Sequence, residues 1–245
     1  MSFSDEEVER YARHLVLREI GGPGQQRLKA ARVAIVGAGG LGAPASLYLA
    51  AAGVGEIALI DPDVVALSNL QRQVLYSTAD EGRGKVEAAA QRLTGLNPNV
   101  RVRPVAARLD EGDARELLTG FDAVLDGTDD FATRFAVNAA CVALSAPLVS
   151  GAIGRWTGQV GVFEGRPCYR CLVPEIPPEA ETCAVVGVVG ALAGVIGAMM
   201  ALEAIKLIAG AGTPLTGRLL IYDALAAETR TVRIGADPDC RVCGG

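Results

Sequence analysis

Residues 32–42 read RVAIVGAGGLG, a short β-branched run that breaks into a glycine-rich turn. An alanine-rich stretch follows and predicts a helix. Gly37, Gly39 and Gly42 have the G-x-G-x-x-G spacing, and Gly40 lies among them. Between a strand and a helix, this spacing is typical of a turn that binds nucleotide phosphates at a helix N-terminus. The stretch therefore predicts a nucleotide-binding α/β fold.

A second apolar run, Glu56–Ile60, ends in Asp61. An acid at this distance from the glycine turn is expected to bind a ribose hydroxyl. The turn and the acid together predict nucleotide binding, but they do not separate NAD from ATP.

Strands and helices alternate along the rest of the chain. Further strands are predicted at residues 100–105, 123–126, 148–149, 159–163, 218–222 and 229–234. Further helices are predicted at residues 85–96, 113–118 and 133–144. This order predicts a Rossmann-like, doubly wound, mostly parallel sheet that C-terminal antiparallel strands extend.

We expect one domain over residues 1–245, since half of the residues are hydrophobic and supply a large core. Its parts are an N-terminal helical arm (1–30), a nucleotide-binding core (31–153) and an extension with a crossing loop, a buried helix and cysteine knuckles (154–245).

The N-terminal arm opens at a capping box, Ser4-Asp5-Glu6-Glu7. Apolar residues then recur at helical spacing and predict a buried face. That face comprises Val8, Tyr11, Ala12, Leu15 and Val16. Taken alone, Arg13 is interpreted as a solvated surface charge.

The charge balance bears on partners and location. A net charge of -5 argues against a broad grip on nucleic acid or anionic lipid. Residues 1–9 are polar and acidic, unlike a secretory signal, so the cytosol is expected. Residues 184–202 lack charge over a length that could span a membrane, but their four glycines favour a helix buried in the protein or at a subunit interface.

Two Cys-x-x-Cys pairs, Cys168 with Cys171 and Cys240 with Cys243, occur in a chain for which no export is expected. Structural disulfides are rare in the cytosol, so the pairs predict tetrahedral Zn²⁺ with four thiolate ligands. A site with four protein ligands has no open position, and its role is therefore structural. A thioredoxin-like redox pair and free thiols are the alternatives.

Arg72 and Lys85 favour ATP over NAD, because a triphosphate needs cations that a nicotinamide site does not. An arginine can bind two phosphate oxygens at once, and Lys85 stands at a predicted helix start, where the helix dipole also favours anions. The acids of DGTDD, residues 126–130, follow a strand at the edge where ligands bind. Carboxylates beside phosphates suit Mg²⁺.

Several ordered motifs carry a resemblance over essentially the whole chain. They are RYARH (10–14), GAGGLG (37–42), SNLQRQ (68–73), the Lys85 element, DGTDD (126–130), CYRC (168–171) and CRVC (240–243). The sequence resembles the ubiquitin-activating-enzyme-like adenylyltransferase superfamily, of the MoeB and ThiF type. The resemblance implies adenylation of the C-terminal glycine of a small ubiquitin-like sulfur carrier that ends in Gly-Gly.

The same resemblance implies roles for individual residues. Gly39 and its neighbours would hold the ATP phosphates, Asp61 the ribose, Asp129 the Mg²⁺, and Asn69, Arg72, Gln73 and Lys85 the triphosphate. Arg13 would reach the site of a neighbouring subunit, which implies a homodimer. Cys183 stands where some ThiF-like proteins use a cysteine in sulfur transfer, so both a covalent role and none stay open.

Three residues depart from the pattern: His14 in place of a common Gln, Asp130 in place of an expected Asn, and Val185 in place of an acid. Asp130 would alter metal affinity or be a solvated acid, and His14 is interpreted as incidental. No sulfur-transfer domain follows Cys243, so a separate sulfur donor is expected. An NAD-dependent oxidoreductase and a non-catalytic carrier-binding module are the rival functions.

Overall fold

The computed structural model describes residues 2–176 and 187–244, in which the strands form a single sheet. The strands are β1 (Arg32–Val36), β2 (Glu56–Ile60), β3 (Arg101–Val105), β4 (Ala123–Asp126), β5 (Leu148–Gly154), β6 (Thr157–Phe163), β7 (Arg218–Asp223) and β8 (Glu228–Arg233). The helices are α1 (Asp5–Arg10), α2 (Ala12–Leu15), α3 (Gly21–Ala30), α4 (Gly42–Ala51), α5 (Lys85–Leu96), α6 (Ala114–Leu117), α7 (Phe131–Leu144), α8 (Tyr169–Leu172) and α9 (Gly190–Ala209).

The strand order is β3-β2-β1-β4-β5-β6-β7-β8. The strands β1 to β5 run parallel, and β6, β7 and β8 extend the sheet antiparallel. This confirms the predicted fold class. The chain winds outward from β1 in both directions, so the carboxyl ends of β1 and β4 form the switch point at which such sheets bind ligands.

Helices cover both faces of the sheet. Val33 and Ile35 of β1 pack in the cluster that includes residues of α3, α4, α5 and α9. Ala34 and Val36 pack on the other face with residues of α6, α7 and α8. Successive side chains of a strand point to opposite faces, so a strand covered on both sides reads as one continuous apolar run.

The hairpin of β5 and β6 is longer than predicted. Gly151 pairs with Val160 and Gly154 with Thr157, in a glycine-rich stretch of low intrinsic strand propensity. A Cβ on Gly151 would lie 2.4 Å from the sulfur of Met200. The approach of α9 therefore requires a glycine here, and pairing with β6 overrides its poor propensity.

The apolar helix α9 is long and apolar enough to cross a membrane, with a mean hydropathy of 1.9, but half of its most apolar window is buried. It packs on α4, β5 and β6. Cβ atoms on Gly190 and Gly197 would lie 2.0 Å from Gln71 O and 2.4 Å from Pro44 Cγ, whereas one on Gly194 would meet nothing within 4 Å. Two of the four predicted glycines therefore permit close packing.

The N-terminal arm keeps the predicted capping box at Ser4, but its predicted buried face is correct only at Tyr11. Val8 and Val16 are 46% and 77% exposed, whereas Glu7 and Tyr11 are buried. Glu7 lies 2.7 Å from the ammonium of Lys29, and this contact lowers the pKa of the Glu7 carboxyl. Specific polar contacts to α3 thus decide which face of the arm is inward.

His14 is part of this anchor, and its interpretation as incidental is wrong. Its Nδ1 lies 2.9 Å from Oε1 of Gln25. Since the amide nitrogen of Gln25 donates to the carbonyl of Ala52, its oxygen must accept, so the Nδ1 of His14 is the donor.

Candidate active site and cysteine cluster

A cleft of about 570 Å³ opens at the carboxyl ends of β1, β2 and β4. The predicted nucleotide-site residues that line it are Gly37, Gly39, Gly40, Asp61, Asn69, Arg72, Gln73, Lys85 and Asp129. Gly42 is not among the lining residues, because it begins α4 behind the turn. A Cβ on Gly42 would lie 1.8 Å from the carbonyl oxygen of Gly37, so this glycine allows the turn to close.

The glycine turn is fixed from both sides. Gly37 has a φ of 88°, which favours glycine. The Ala38 N–H donates to Oδ2 of Asp61 at 2.8 Å, and the buried Tyr76 hydroxyl donates to the Ala38 carbonyl at 2.7 Å. Because Oδ1 of Asp61 also accepts from the N–H of Asp63, Asp61 organises the turn in addition to any ribose contact.

Cations and an unpaired acceptor surround the turn. The buried Lys85 ammonium at the start of α5 lies 2.9 Å from Oδ2 of Asp63 and 3.8 Å from Oδ2 of Asp61. Arg72 lines the cleft, and its Nη1 donates to the Ser68 carbonyl at 3.2 Å. Among the described residues, Oε1 of the buried Gln73 accepts no hydrogen bond. A phosphate-bearing ligand with hydroxyl groups fits these partners.

The structure gives Asp126 and Asp129 of the DGTDD motif different surroundings. Asp126 is 1% exposed, and its Oδ1 accepts from the N–H and hydroxyl of Thr128 at 3.0 and 2.7 Å. Asp129 is exposed on the cleft, and within the described part of the chain no hydrogen bond or ion pair occupies its carboxylate. Of the two, Asp129 has the oxygens free for a divalent cation.

Asp130 has a structural role that was not predicted, and it is not simply a solvated acid. Its carboxylate is the N-cap of α7 and accepts from the N–H and hydroxyl of Thr133 at 3.0 and 2.7 Å. Burial works to raise the pKa of Asp130, but these hydrogen bonds outweigh it and lower the pKa. The D-x-x-T spacing before an apolar helix is the capping signal that could have revealed this role.

Several lining residues were not predicted. They are Arg108, Phe131, Arg134, Ala152, Ile153, Gln159, Tyr169 and Val173. Most of them follow β3 or lie on β5, β6 and α8, at places that only the sheet order brings to the cleft. Arg134 alone had a sequence signal, since it is a single charge inside the otherwise apolar α7.

Arg13 differs in position from the other predicted catalytic residues that the structure describes. Arg13 is exposed on α2 and does not line it within one chain. Cys183 and Val185 lie outside the described residues. Cys141, in α7, is buried, and burial raises the pKa of its thiol, as suits a core residue.

The four predicted metal cysteines do come together. The sulfurs of Cys168, Cys171, Cys240 and Cys243 all lie within 4.8 Å of one another. The pairs 168–240 and 171–243 are 3.7 and 3.4 Å apart. Tetrahedral zinc with Zn–S bonds of about 2.3 Å implies sulfur separations of about 3.8 Å. The cluster is therefore compatible with zinc.

Hydrogen bonds support the sulfurs from outside the cluster. The side-chain amide of Asn138 donates to Sγ of Cys168 at 3.6 Å, and the Asp237 N–H donates to Sγ of Cys171 at 3.5 Å. N–H donors of this kind stabilise thiolate charge and fix ligand orientation. The C-terminal segment is thereby joined to α8.

Comparison with known proteins identifies the family of this chain. A family model described as the ThiF family matches residues 11–242. The chain belongs to the ThiF family. This confirms the resemblance drawn from the motifs.

The chain is also similar in sequence to named enzymes over nearly its whole length. It is 48% identical to a sulfur carrier protein adenylyltransferase of Thermus thermophilus, over all of this chain and 93% of that protein. It is 48% identical to the molybdopterin-synthase adenylyltransferase of Escherichia coli, over 98% of each chain. The SAMP-activating enzyme E1 of Haloferax volcanii is 47% identical, over all of this chain and 92% of that one.

Solved structures share its fold. E. coli MccB superposes with a TM-score of 0.85 at 27% identity, over all of this chain and 74% of that one. PaaA superposes with a TM-score of 0.79 at 27% identity, over 95% of this chain and 75% of that one.

Proposed function

We propose that this ThiF-family chain catalyses the ATP-dependent adenylation of the C-terminal glycine carboxylate of a ubiquitin-like sulfur carrier. Pyrophosphate is released, and the carrier is activated for thiocarboxylate formation. The observation that carries the proposal is the unpaired Asp129 carboxylate in the same cleft as Arg72 and Lys85. Its relatives at 48% identity are sulfur carrier and molybdopterin-synthase adenylyltransferases.

The chemistry requires positioning more than proton transfer. A carrier carboxylate is ionised at neutral pH, so one of its oxygens attacks the α-phosphorus directly while the bond to the bridging oxygen of pyrophosphate breaks. Arg72 and Lys85 oppose the charge on the phosphates, and α4 begins behind the glycine turn, so the positive end of its dipole favours the same charge. No general base is needed.

Mg²⁺ would be held by Asp129, whose carboxylate is a hard oxygen ligand beside the phosphate site. The ion supplies charge neutralisation of the phosphates. Zn²⁺ would be held by the four cysteines, where all positions are taken by protein ligands and no substrate position remains.

The test is ATP–pyrophosphate exchange with a Gly-Gly-ended sulfur carrier. Exchange is expected only with both the carrier and Mg²⁺, and not with a carrier that lacks its last glycine. Equal exchange without the carrier would contradict the proposal. Saturable binding of NAD instead of ATP would favour the oxidoreductase, and carrier binding without exchange would favour a non-catalytic module. The carrier that co-purifies with the chain would identify the pathway.

We also propose that the enzyme acts as a homodimer in which Arg13 serves the neighbouring cleft. Support comes from the arm, where Arg13, Val8 and Val16 are all exposed. Arg13→Ala and Asp129→Ala dimers are each expected to be nearly inactive. Co-refolding of the two should restore up to about half of the wild-type activity, because one site of each mixed dimer is whole. A flat, inactive mixing curve would place Arg13 in its own chain's site.

A further inference from the structure

Arg134 is the only charged residue of α7 and is 5% exposed. Burying a guanidinium is unfavourable unless its charge and its donors find partners, and an apolar residue of similar volume would serve stability as well or better. A buried arginine in a helix that otherwise packs on the core therefore indicates a purpose beyond packing.

The partners of Arg134 come from two different parts of the cleft. One terminal nitrogen, Nη2, donates to the carbonyl of Thr128 in the acidic loop and to the carbonyl of Gly151 in β5, the latter at 2.7 Å. The other, Nη1, donates to the hydroxyl of Ser150 at 3.2 Å and lies 3.7 Å from Oδ2 of Asp126. The guanidinium thus joins β5 to the loop that follows β4.

The charge of Arg134 is retained in this position. Burial works to lower its pKa, but Asp126, Tyr169 and Asp129 together outweigh burial and raise the pKa. The Tyr169 ring covers the guanidinium with a centroid distance of 5.9 Å. Tyr169 is itself fixed, because its N–H donates to the side-chain oxygen of Asn138 at 2.8 Å. Arg134 therefore has one defined position.

Thr128, whose carbonyl Arg134 binds, immediately precedes Asp129, and its N–H and hydroxyl are bound by Asp126. The peptide before Asp129 is thus held at both ends, while the Asp129 carboxylate itself stays free. The two carboxylates differ in their surroundings, since Oδ2 of Asp126 lies 3.7 Å from Nη1 of Arg134 behind the loop, whereas Asp129 lines the cleft.

We propose that Arg134 is a positioning residue: its guanidinium fixes the loop that carries Asp129, so that this carboxylate is preset for the divalent cation that accompanies ATP. The inference rests on the proposed function. Arg134→Lys is the sharpest change, because a lysine keeps a positive charge but has one nitrogen, which cannot bind the Thr128 and Gly151 carbonyls and also reach Ser150 and Asp126, as the two terminal nitrogens of Arg134 do. Ser150→Ala is the milder change, since it removes one acceptor and leaves the Arg134–Asp126 pair intact.

The control is Arg170→Lys. Arg170 also stacks on an aromatic ring, that of Phe135 at 3.4 Å, but its hydrogen bond goes to Pro174 and it does not line the cleft. It therefore tests the loss of an arginine in the same region without contact to the acidic loop.

The experiment measures Mn²⁺ binding, by electron paramagnetic resonance, to full-length enzyme saturated with a non-cleavable α,β-methylene ATP analogue. Arg134→Lys is expected to weaken Mn²⁺ binding about 10-fold or more, which is the usual effect of removing a residue that orients a metal ligand. Ser150→Ala should shift it less and in the same direction, and Arg170→Lys should not shift it. In exchange assays, excess Mg²⁺ should recover most of the rate lost by Arg134→Lys.

A purely structural role predicts a different result. Arg134→Lys would then lower the melting temperature and the active fraction, with unchanged Mn²⁺ affinity and no recovery by Mg²⁺, and this outcome overturns the proposal. If Arg134→Lys does not fold, an unchanged Mn²⁺ affinity in Ser150→Ala overturns it equally. Wild-type enzyme that binds Mn²⁺ with the analogue but shows no carrier-dependent exchange would refute the proposed function and leave the positioning role standing.

Discussion

The nucleotide cleft and the cysteine cluster meet at two neighbouring residues, since Tyr169 lines the cleft and Cys168 belongs to the cluster. They are built on opposite principles. In the cleft, the Asp129 carboxylate and the Gln73 oxygen accept no hydrogen bond from the described residues, so both are open to a ligand. In the cluster, four sulfurs face one another within 4.8 Å and no position is open.

This difference indicates that the cleft serves chemistry and the cluster serves stability. Unpartnered groups at the end of a rigid sheet cost stability and are useful for chemistry, whereas a closed set of thiolates binds a metal that contributes folding energy. Changes in the cleft should therefore alter activity at constant stability, and changes in the cluster should do the reverse. Four predictions test that contrast, from the largest expected effect to the smallest.

Asp129→Ala should reduce carrier-dependent ATP–pyrophosphate exchange by roughly 100-fold or more, because the cation loses its protein ligand. The free energy of unfolding should change by less than about 0.5 kcal/mol, since the side chain is exposed. Exchange kinetics and denaturant unfolding measure the two quantities. Full activity of Asp129→Ala would indicate that another acid binds the metal.

Cys171→Ser should lower the melting temperature by roughly 10 °C, equivalent to about 3 kcal/mol at this length, because the metal-bound fold loses a ligand. Exchange per folded molecule at 25 °C should fall far less than in Asp129→Ala. Metal analysis should give one zinc per wild-type chain, and Cys141→Ala should retain it. Zinc-free wild-type protein, prepared without chelator, would refute the zinc site.

Gly197→Ala should destabilise the fold by about 1–3 kcal/mol, because the new methyl group would lie 2.4 Å from Pro44 Cγ and 2.5 Å from Leu41 O. Leu41 lines the cleft, so ATP binding should weaken while the zinc content stays constant. Gly194→Ala is the matched control in the same helix. It should stabilise the protein by about 0.5–1 kcal/mol, since the site is open and alanine favours a helix. Calorimetric unfolding measures the stability of both variants. Equal changes in stability would contradict the close packing of α9 at Gly197.

Asp130→Ala should destabilise the protein by about 1 kcal/mol through the loss of the N-cap of α7, whereas Asp130→Asn should be nearly neutral because asparagine caps equally well. Chemical denaturation gives the difference. Mg²⁺ dependence of exchange should be unchanged in Asp130→Asn. A marked shift there would mean that Asp130 shares the metal with Asp129.

Much of the scaffold could be predicted from local sequence. The bounds of β1, β2 and β4 agree with the prediction, because buried parallel strands are continuous apolar runs that end at a glycine or an acid. The bounds of α5 agree as well. The glycine turn, the cations of the cleft and the two cysteine pairs were also recognisable, since each depends on short spacing.

Tertiary structure alone decided the remaining features. Local sequence could not show that Glu7, not Val8, turns inward, since that choice depends on Lys29. Nor could it separate Asp126 from Asp129, because the difference lies in the contact of Asp126 with Arg134. A residue's partners across the fold fix its burial and charge environment, and those partners are distant in sequence. The sequence by itself therefore determined the nucleotide fold and the residue types of both sites, and packing between distant segments decided which of those residues stay free to act.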